Sequence, residues 1–250
     1  MIFSHVAAHL KQQHWTGVFI ELLIVVLGVY IGLQAQDWNN AHQDRALERK
    51  YLVRLRDDIK LSIRNADSNI ARMRRQNQLE SEMLTDLATC RLEGAARNRF
   101  ATGIFFFGRI ETPPLVRGTI DELRSTGRLG LIRDEALRSK LANVLESSNY
   151  ETGVLQMIVA RSTPAIAHID QRVVLKQPPG GFKYKSIVEH GVPDGSVEFD
   201  FPALCKDPRF APAVSTVQEL THVAIEFNKE LLDSFKALLP IIDRDLAGAK

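Results

Sequence analysis

Cysteine is scarce in this chain, with two among 250 residues. That number excludes a disulfide framework, and Cys90 and Cys205 lie too far apart in sequence for a zinc-binding pair. In an oxidising compartment they could form one long-range staple; as buried thiols they would act as small apolar residues. Net charge is only +2, so no global field draws the chain to nucleic acid or a strongly acidic partner. The sequence contains no HExxH, no GxSxG, no Walker loop and no dinucleotide fingerprint. Gly180-Gly181 follows Pro-Pro and opens no convincing helix, so a phosphate loop is not expected there. His5 and His9 stand at helical i, i+4 spacing, but His14 is out of phase and no acidic ligand is near. A solvated face is the expected role of these histidines, rather than a metal site. His168, His190 and His222 are scattered. No nucleophile–base pair, metal or cofactor site is expected, and the chain reads as a non-enzyme.

Long apolar runs are lacking too, with one exception. Thr16 to Ala35, TGVFIELLIVVLGVYIGLQA, carries a single charge, Glu21. It is about as long as the roughly 20 residues that cross a bilayer. Trp15 and Trp38 flank it at the positions of an aromatic belt. Cleavage as a signal peptide fits poorly, because a cut after Ala35 would place Leu33 where a small residue is wanted. ALLPII near Leu239 is too short to span. The expectation is an uncleaved single-pass anchor. Without it about 210 residues remain, enough to bury a core.

Two orientation cues conflict. Lys11 precedes the span, whereas Arg45, Arg49, Lys50 and Arg54 follow it, which by counting places the large domain in the cytoplasm. Those basic residues are interleaved with Asp37, Asp44 and Glu48. A short N-terminus before one anchor is also the usual layout for exporting a C-terminal domain. The expected location is periplasmic.

Apolar periodicity continues beyond the span. Leu47, Tyr51, Leu55, Ile59, Ile63, Ala66, Ile70 and Met73 recur at spacings of four and three, predicting one long helix to about Arg91. Gly94 to Pro114 is punctuated by Gly and Pro around GIFFFG. Three adjacent phenylalanines read as a buried corner, with a lipid- or partner-facing patch as the alternative. Arg117 to Thr126 reads as a short helix closed by Gly127. A second long pattern opens at Arg133–Asp134 and runs through Leu137, Leu141, Val144, Leu155 and Ile169, with Pro164 expected to kink it. Val173 to Pro212 carries Pro-Pro-Gly-Gly and Pro-Asp-Gly turns and reads as a loop-rich insertion with one β-hairpin. A last helix is expected from Pro212 to Leu246. Its stripe is Val217, Leu220, Ala224, Phe227, Leu231, Phe235, Leu238 and Ile242.

The expected fold is mainly α: a transmembrane helix continuing into a long-helix antiparallel bundle with a small loop/β-hairpin insertion. Residues 1–15 form a tail, 16–36 the span, 37–172 the first part of the bundle, 173–212 the insertion and 213–250 the C-terminal bundle helix.

Within the span, Gly28 and Gly32 form GxxxG. Glu21, Gly28 and Ala35 share a face at heptad spacing, with Gly32 beside it. An ionisable group at that depth is costly, ~2.5 kcal/mol or more at a helix centre, so it tends to face other protein. The face reads as an oligomer or partner seam; alternatively Glu21 lifts its carboxyl to the headgroups. Arg72, Arg74 and Arg75 read as a solvated basic face rather than an anion site.

The stretch FIELLIVVLGVYIGLQAQDWNN followed by ERKYLVRLRDDI resembles the anchor of a family of bacterial single-pass membrane proteins without known function. Asp121 to Leu141, DELRSTGRLGLIRDEALRSKL, is similar to that family's second signature. The resemblance covers about a third of the chain, implies residence in the bacterial inner membrane, and carries over no catalytic residue. The functional expectation is action through protein–protein interaction, as a homo-oligomer or an accessory subunit, with the lipid bilayer and other membrane-protein subunits as partners and no nucleic acid. The alternative is an extracytoplasmic ligand-sensing domain whose insertion supplies the pocket. A membrane-bound enzyme is a third, weaker reading.

Overall fold

A computed structural model describes residues 15–111 and 115–248, with side chains from residue 19 onward. The N-terminal tail, with His5, His9, Lys11 and His14, lies outside the described residues, as do the side chain of Trp15 and the Pro113–Pro114 pair. Helix α1 (Trp15–Thr89) is unbroken over 75 residues. It carries both the apolar span and one side of the domain core. In its first part every side chain from Phe19 to Asn40 is exposed.

From Glu48 onward α1 buries a seam. The buried positions alternate at spacings of four and three through Leu52, Leu55 and Ile59 to Met83 and Leu87. This is a heptad register held over most of the domain. Its members include Glu48, Ser62, Asn69, Gln76 and Glu80, all buried. Apolar spacing alone placed the stripe one position aside at Ile63, which is only half-buried, because polar residues occupy seam positions.

Helix α7 (Phe210–Gly248) answers α1. Its fully buried positions run Val214, Val217, Thr221, Ala224, Asn228, Leu231, Phe235, Leu238 and Ile242. Asn228, not Phe227, takes the core position. The long helix α4 (Glu135–Asp170) completes the bundle. Three buried clusters give the directions. Leu52 and Leu55 meet Leu137 and Leu141 of α4 and Phe235 and Leu238 of α7. Ala66 and Ile70 meet Leu155 and Leu220. Met83 meets Ile169 and Val214. Helix α7 therefore runs antiparallel to both α1 and α4. The side chain of Asn77 donates to the Gln218 carbonyl at 2.8 Å, fixing that register.

The chain turns sharply beyond α1. Helix α2 (Ala95–Phe106) follows, where the sequence pattern gave only a punctuated corner. Phe105, Phe106 and Phe107 are buried, as the corner reading expects. Successive helical residues point about 100° apart, so a three-phenylalanine run is covered only because neighbours close in from several sides. Gly103 is needed there, since a Cβ would come 2.5 Å from the Met83 sulfur. Beyond α2, Ile110 packs on the middle cluster and Leu115 belongs to the cluster around Leu52 and Leu55.

Helix α3 (Gly118–Ser125) and a 3-10 turn (Arg128–Leu131) form the connection read from STGR. Gly127 sits at φ 68°, a left-handed position following the helix end that glycine adopts without strain. The Asp134 side chain caps α4 by accepting from the Leu137 N–H.

The insertion holds more order than a hairpin. Strand β1 (Val173–Leu175) pairs antiparallel with β2 (Val197–Phe199), Val174 facing Glu198. They are not joined by a tight turn: helix α5 (Tyr184–His190) lies between them. Helix α6 (Phe201–Lys206), capped by Asp200, then leads into α7. The insertion docks on α2, with Asn98 donating to the Val192 carbonyl and Val192 N–H to Thr102 Oγ1. Gly191 permits that approach, because any Cβ there would collide with Asn98.

Candidate functional site

Three places gather chemistry. The first is the apolar stretch of α1. Glu21, Gly28, Gly32 and Ala35 lie on a helix face with no other described element packed on it. A Cβ added at Gly28 or Gly32 would meet no atom within 4 Å, so the flat strip is open. Trp38 is 75% exposed and stacks on His42 with ring centroids 6.0 Å apart. By length and composition α1 is the one described helix able to cross a membrane.

The second is the far end of the domain. Cys90 and Cys205 form a disulfide with Cα atoms 5.8 Å apart, closing a separation of 115 residues. Of the two roles the sequence left open, the staple is the one the structure displays. Cys90 adopts φ 50°, uncommon for a non-glycine residue, where the chain leaves α1. Nearby, His168 meets Asp207 at 2.9 Å, and Arg172 donates to the same carboxylate oxygen at 3.0 Å. A backbone bond from the Arg209 N–H, with these two side chains, holds the Asp207 carboxyl below its usual range. The cluster ties the end of α4 to the start of α7.

The third is a cleft of about 220 Å³ between α1, the segment after α2, and α5. Met73, Leu79, Phe106 and Val188 form apolar walls, and Arg72, Arg75, Arg109, Glu111 and Tyr184 supply the polar groups. Arg109 is laid over aromatic faces, its guanidinium 4.6 Å from the Phe105 ring centre, 5.6 Å from Phe106 and 5.9 Å from Tyr184. Such stacking fixes a planar cation's orientation. Phe106 and Tyr184 meet edge to face at 5.5 Å. Arg72 is answered by Glu111 at 2.5 Å and by Asn69. Arg75 and Arg109 meet no carboxylate among the described residues.

Behind the cleft, Gln76 donates to Glu80 at 2.9 Å. Glu80 is fully buried, its second oxygen has no partner among the described residues, and burial pushes its carboxyl up to about 7. Among the described residues no three His, Cys, Asp or Glu side chains gather as a metal centre would.

Of the basic cluster read as a solvated face, Arg74 is exposed and lies off the cleft, but Arg72 and Arg75 line it. Sequence reasoning missed Arg109, Glu111 and Tyr184. The usable cue was the arginine directly following FFFG, since an aromatic run with an adjacent cation favours stacking. Comparison with family models, curated proteins and solved structures returns no match.

Proposed function

We propose that the chain is a non-enzymatic single-pass protein of the bacterial inner membrane, with a periplasmic helical domain that holds protein partners in fixed orientation. The partners are copies of itself or other membrane subunits. The observation that carries this reading is α1 itself: one unbroken helix forms both the apolar span and a side of the domain core. A stiff connection of this kind transmits orientation, where a flexible linker would transmit only proximity. The open face of Glu21, Gly28, Gly32 and Ala35 supplies a seam within the bilayer. The resemblance of the anchor and of Asp121 to Leu141 to bacterial single-pass proteins agrees with it.

The periplasmic location is supported by the Cys90–Cys205 disulfide, which belongs in an oxidising compartment. The opposing basic residues are partly engaged in the fold: Arg54 pairs with Glu122 at 2.6 Å and Arg49 donates to the Leu246 carbonyl. Because the cysteines are paired, a thiol reagent applied to intact spheroplasts should label them only after an impermeant reductant. Labelling without reductant only after membrane lysis would place the domain in the cytoplasm.

Crosslinking and native mass spectrometry in membranes test the partner reading. Wild type should appear as a complex, Glu21→Gln should retain it, and Glu21→Leu with Gly28→Leu should lose it. A strictly monomeric wild type without partners would sink the reading; unchanged crosslinking of the double variant would sink the seam. A second reading, a ligand-sensing domain, is favoured by one observation: the disulfide-held insertion provides a wall of the cleft through Tyr184 and Val188.

A further inference from the structure

The cleft beside α1 has a composition that a structural groove does not require. Its walls are apolar, yet it holds three arginines against one glutamate. Two of these cations, Arg75 and Arg109, meet no carboxylate among the described residues. Arg109 is pinned flat by Phe105, Phe106 and Tyr184. An arginine immobilised before binding loses little side-chain entropy when it takes up an anion. Arg72, tied to Glu111 and Asn69, stiffens the rim.

From this arrangement we infer that the cleft is a binding site for a small organic anion, with one carboxylate or phosphate head and a compact apolar body. The head sits between Arg75 and Arg109, where a guanidinium can donate two parallel hydrogen bonds. The body lies against Met73, Leu79, Phe106 and Val188. Size limits the ligand: about 220 Å³ falls below the ~300 Å³ at which common ligand pockets begin.

Position separates two sources of the same head chemistry. Along α1, Asn69 stands roughly 45 Å beyond Trp38 at ~1.5 Å per residue. If Trp38 marks the headgroups, anionic lipids of the anchoring membrane are out of reach and the ligand arrives through water. The inference needs neither an oligomer nor a particular orientation, so it can fail while the partner reading stands, and the reverse.

The test uses the full chain in nanodiscs of zwitterionic lipid, with calorimetric titration of benzoate, phenyl phosphate and the neutral isostere benzamide. Benzoate or phenyl phosphate should bind at least about tenfold more tightly than benzamide, weakening as salt rises. Arg75→Gln and Arg109→Gln should each weaken anion binding by about tenfold, and Arg74→Gln should leave it unchanged. Arg75 lies on an exposed part of α1, so its variant keeps the test valid should Arg109→Gln disturb the aromatic packing. Equal binding of benzamide, equal effects of Arg74→Gln and Arg75→Gln, or no binding of either anion at millimolar concentration would overturn the inference. Loss of benzoate binding in nanodiscs containing phosphatidylglycerol would overturn the water-borne source in favour of a headgroup.

Discussion

Between residues 19 and 33 α1 presents apolar side chains to its surroundings on every side, whereas between residues 48 and 87 it conceals polar ones in its seam. Phe19, Ile24 and Ile31 are all more than 60% exposed, while Glu80 and Ser62 are fully buried on the same backbone. Composition alone would assign these fates the other way round. What differs is the neighbour. No other described element packs on the outer half, and an apolar cylinder of that length is stable only in lipid or against other apolar helices. The inner half has α7 alongside. Polar groups at seam positions cost stability but restrict which register and partner the helices can choose. One helix is thus specified by solvent at one end and by pairing at the other.

The largest expected effect tests that contrast with the same substitution in both halves. Leu55→Ala empties a site buried among α1, α4 and α7 and should cost about 3–5 kcal/mol of domain stability. Leu27→Ala, on the exposed stretch, should change domain unfolding by less than about 0.5 kcal/mol. Denaturant unfolding in detergent, followed by circular dichroism, reads both. A comparable loss at Leu27 would mean that the outer half packs on the domain and that the contrast is false.

A smaller effect concerns how α1 is held. Its N-terminal half is free of the other described elements, while the residue after its far end is clamped through Cys90 to α6. Cys205→Ser should lower stability by about 2–4 kcal/mol, since the crosslink closes a long loop in the unfolded chain. Reductant should bring wild type to the variant's level and leave the variant unchanged. Wild type indifferent to reductant would show that packing alone secures this end.

Much of the frame was legible. The long apolar stretch, the ends of the long helices, the opening of α4 at Arg133–Asp134 and the closure at Gly127 follow from local chemistry that needs no tertiary information. The seam itself was legible only to within one position. Periodicity counts apolar residues, and Asn69, Gln76, Glu80, Thr221 and Asn228 sit in core positions without being apolar. Helices α5 and α6, at seven and six residues, are too short to show a period. The cleft was hidden for another reason. Its walls come from residues 68–79, 106–111 and 184–188, and nothing local links Arg75, Arg109 and Tyr184 before the insertion folds against α2.

Glu80 gives the sharpest probe of the polar seam, although with the smallest effect. Burial raises its carboxyl pKa from 4.5 to about 7. Between these values the folded protein holds a proton that the unfolded chain releases. Stability should therefore be greatest below about pH 4.5 with respect to this group, fall as pH rises toward 7, and level off above it. Glu151, buried and facing the charge of Glu230, is also raised to about 7 and acts in the same direction. Glu122, held below its usual range by the Arg54 and Tyr51 hydrogen bonds, titrates beneath this window and leaves it clear. Glu80→Gln keeps the shape and the partnership with Gln76 but removes the ionisation. It should raise stability at pH 8 by on the order of 2 kcal/mol, with little change near pH 5. Adding Glu151→Gln should flatten the slope further and leave the part due to Asp245, whose carboxyl is raised to about 6 by burial and the Asp134 hydrogen bond. Unfolding midpoints across pH 5 to 8 decide the matter: an unaltered slope in the single variant would mean that Glu80 is ionised in the folded seam, and that this seam tolerates an unpaired buried charge, where residues 19–33 carry only the exposed Glu21.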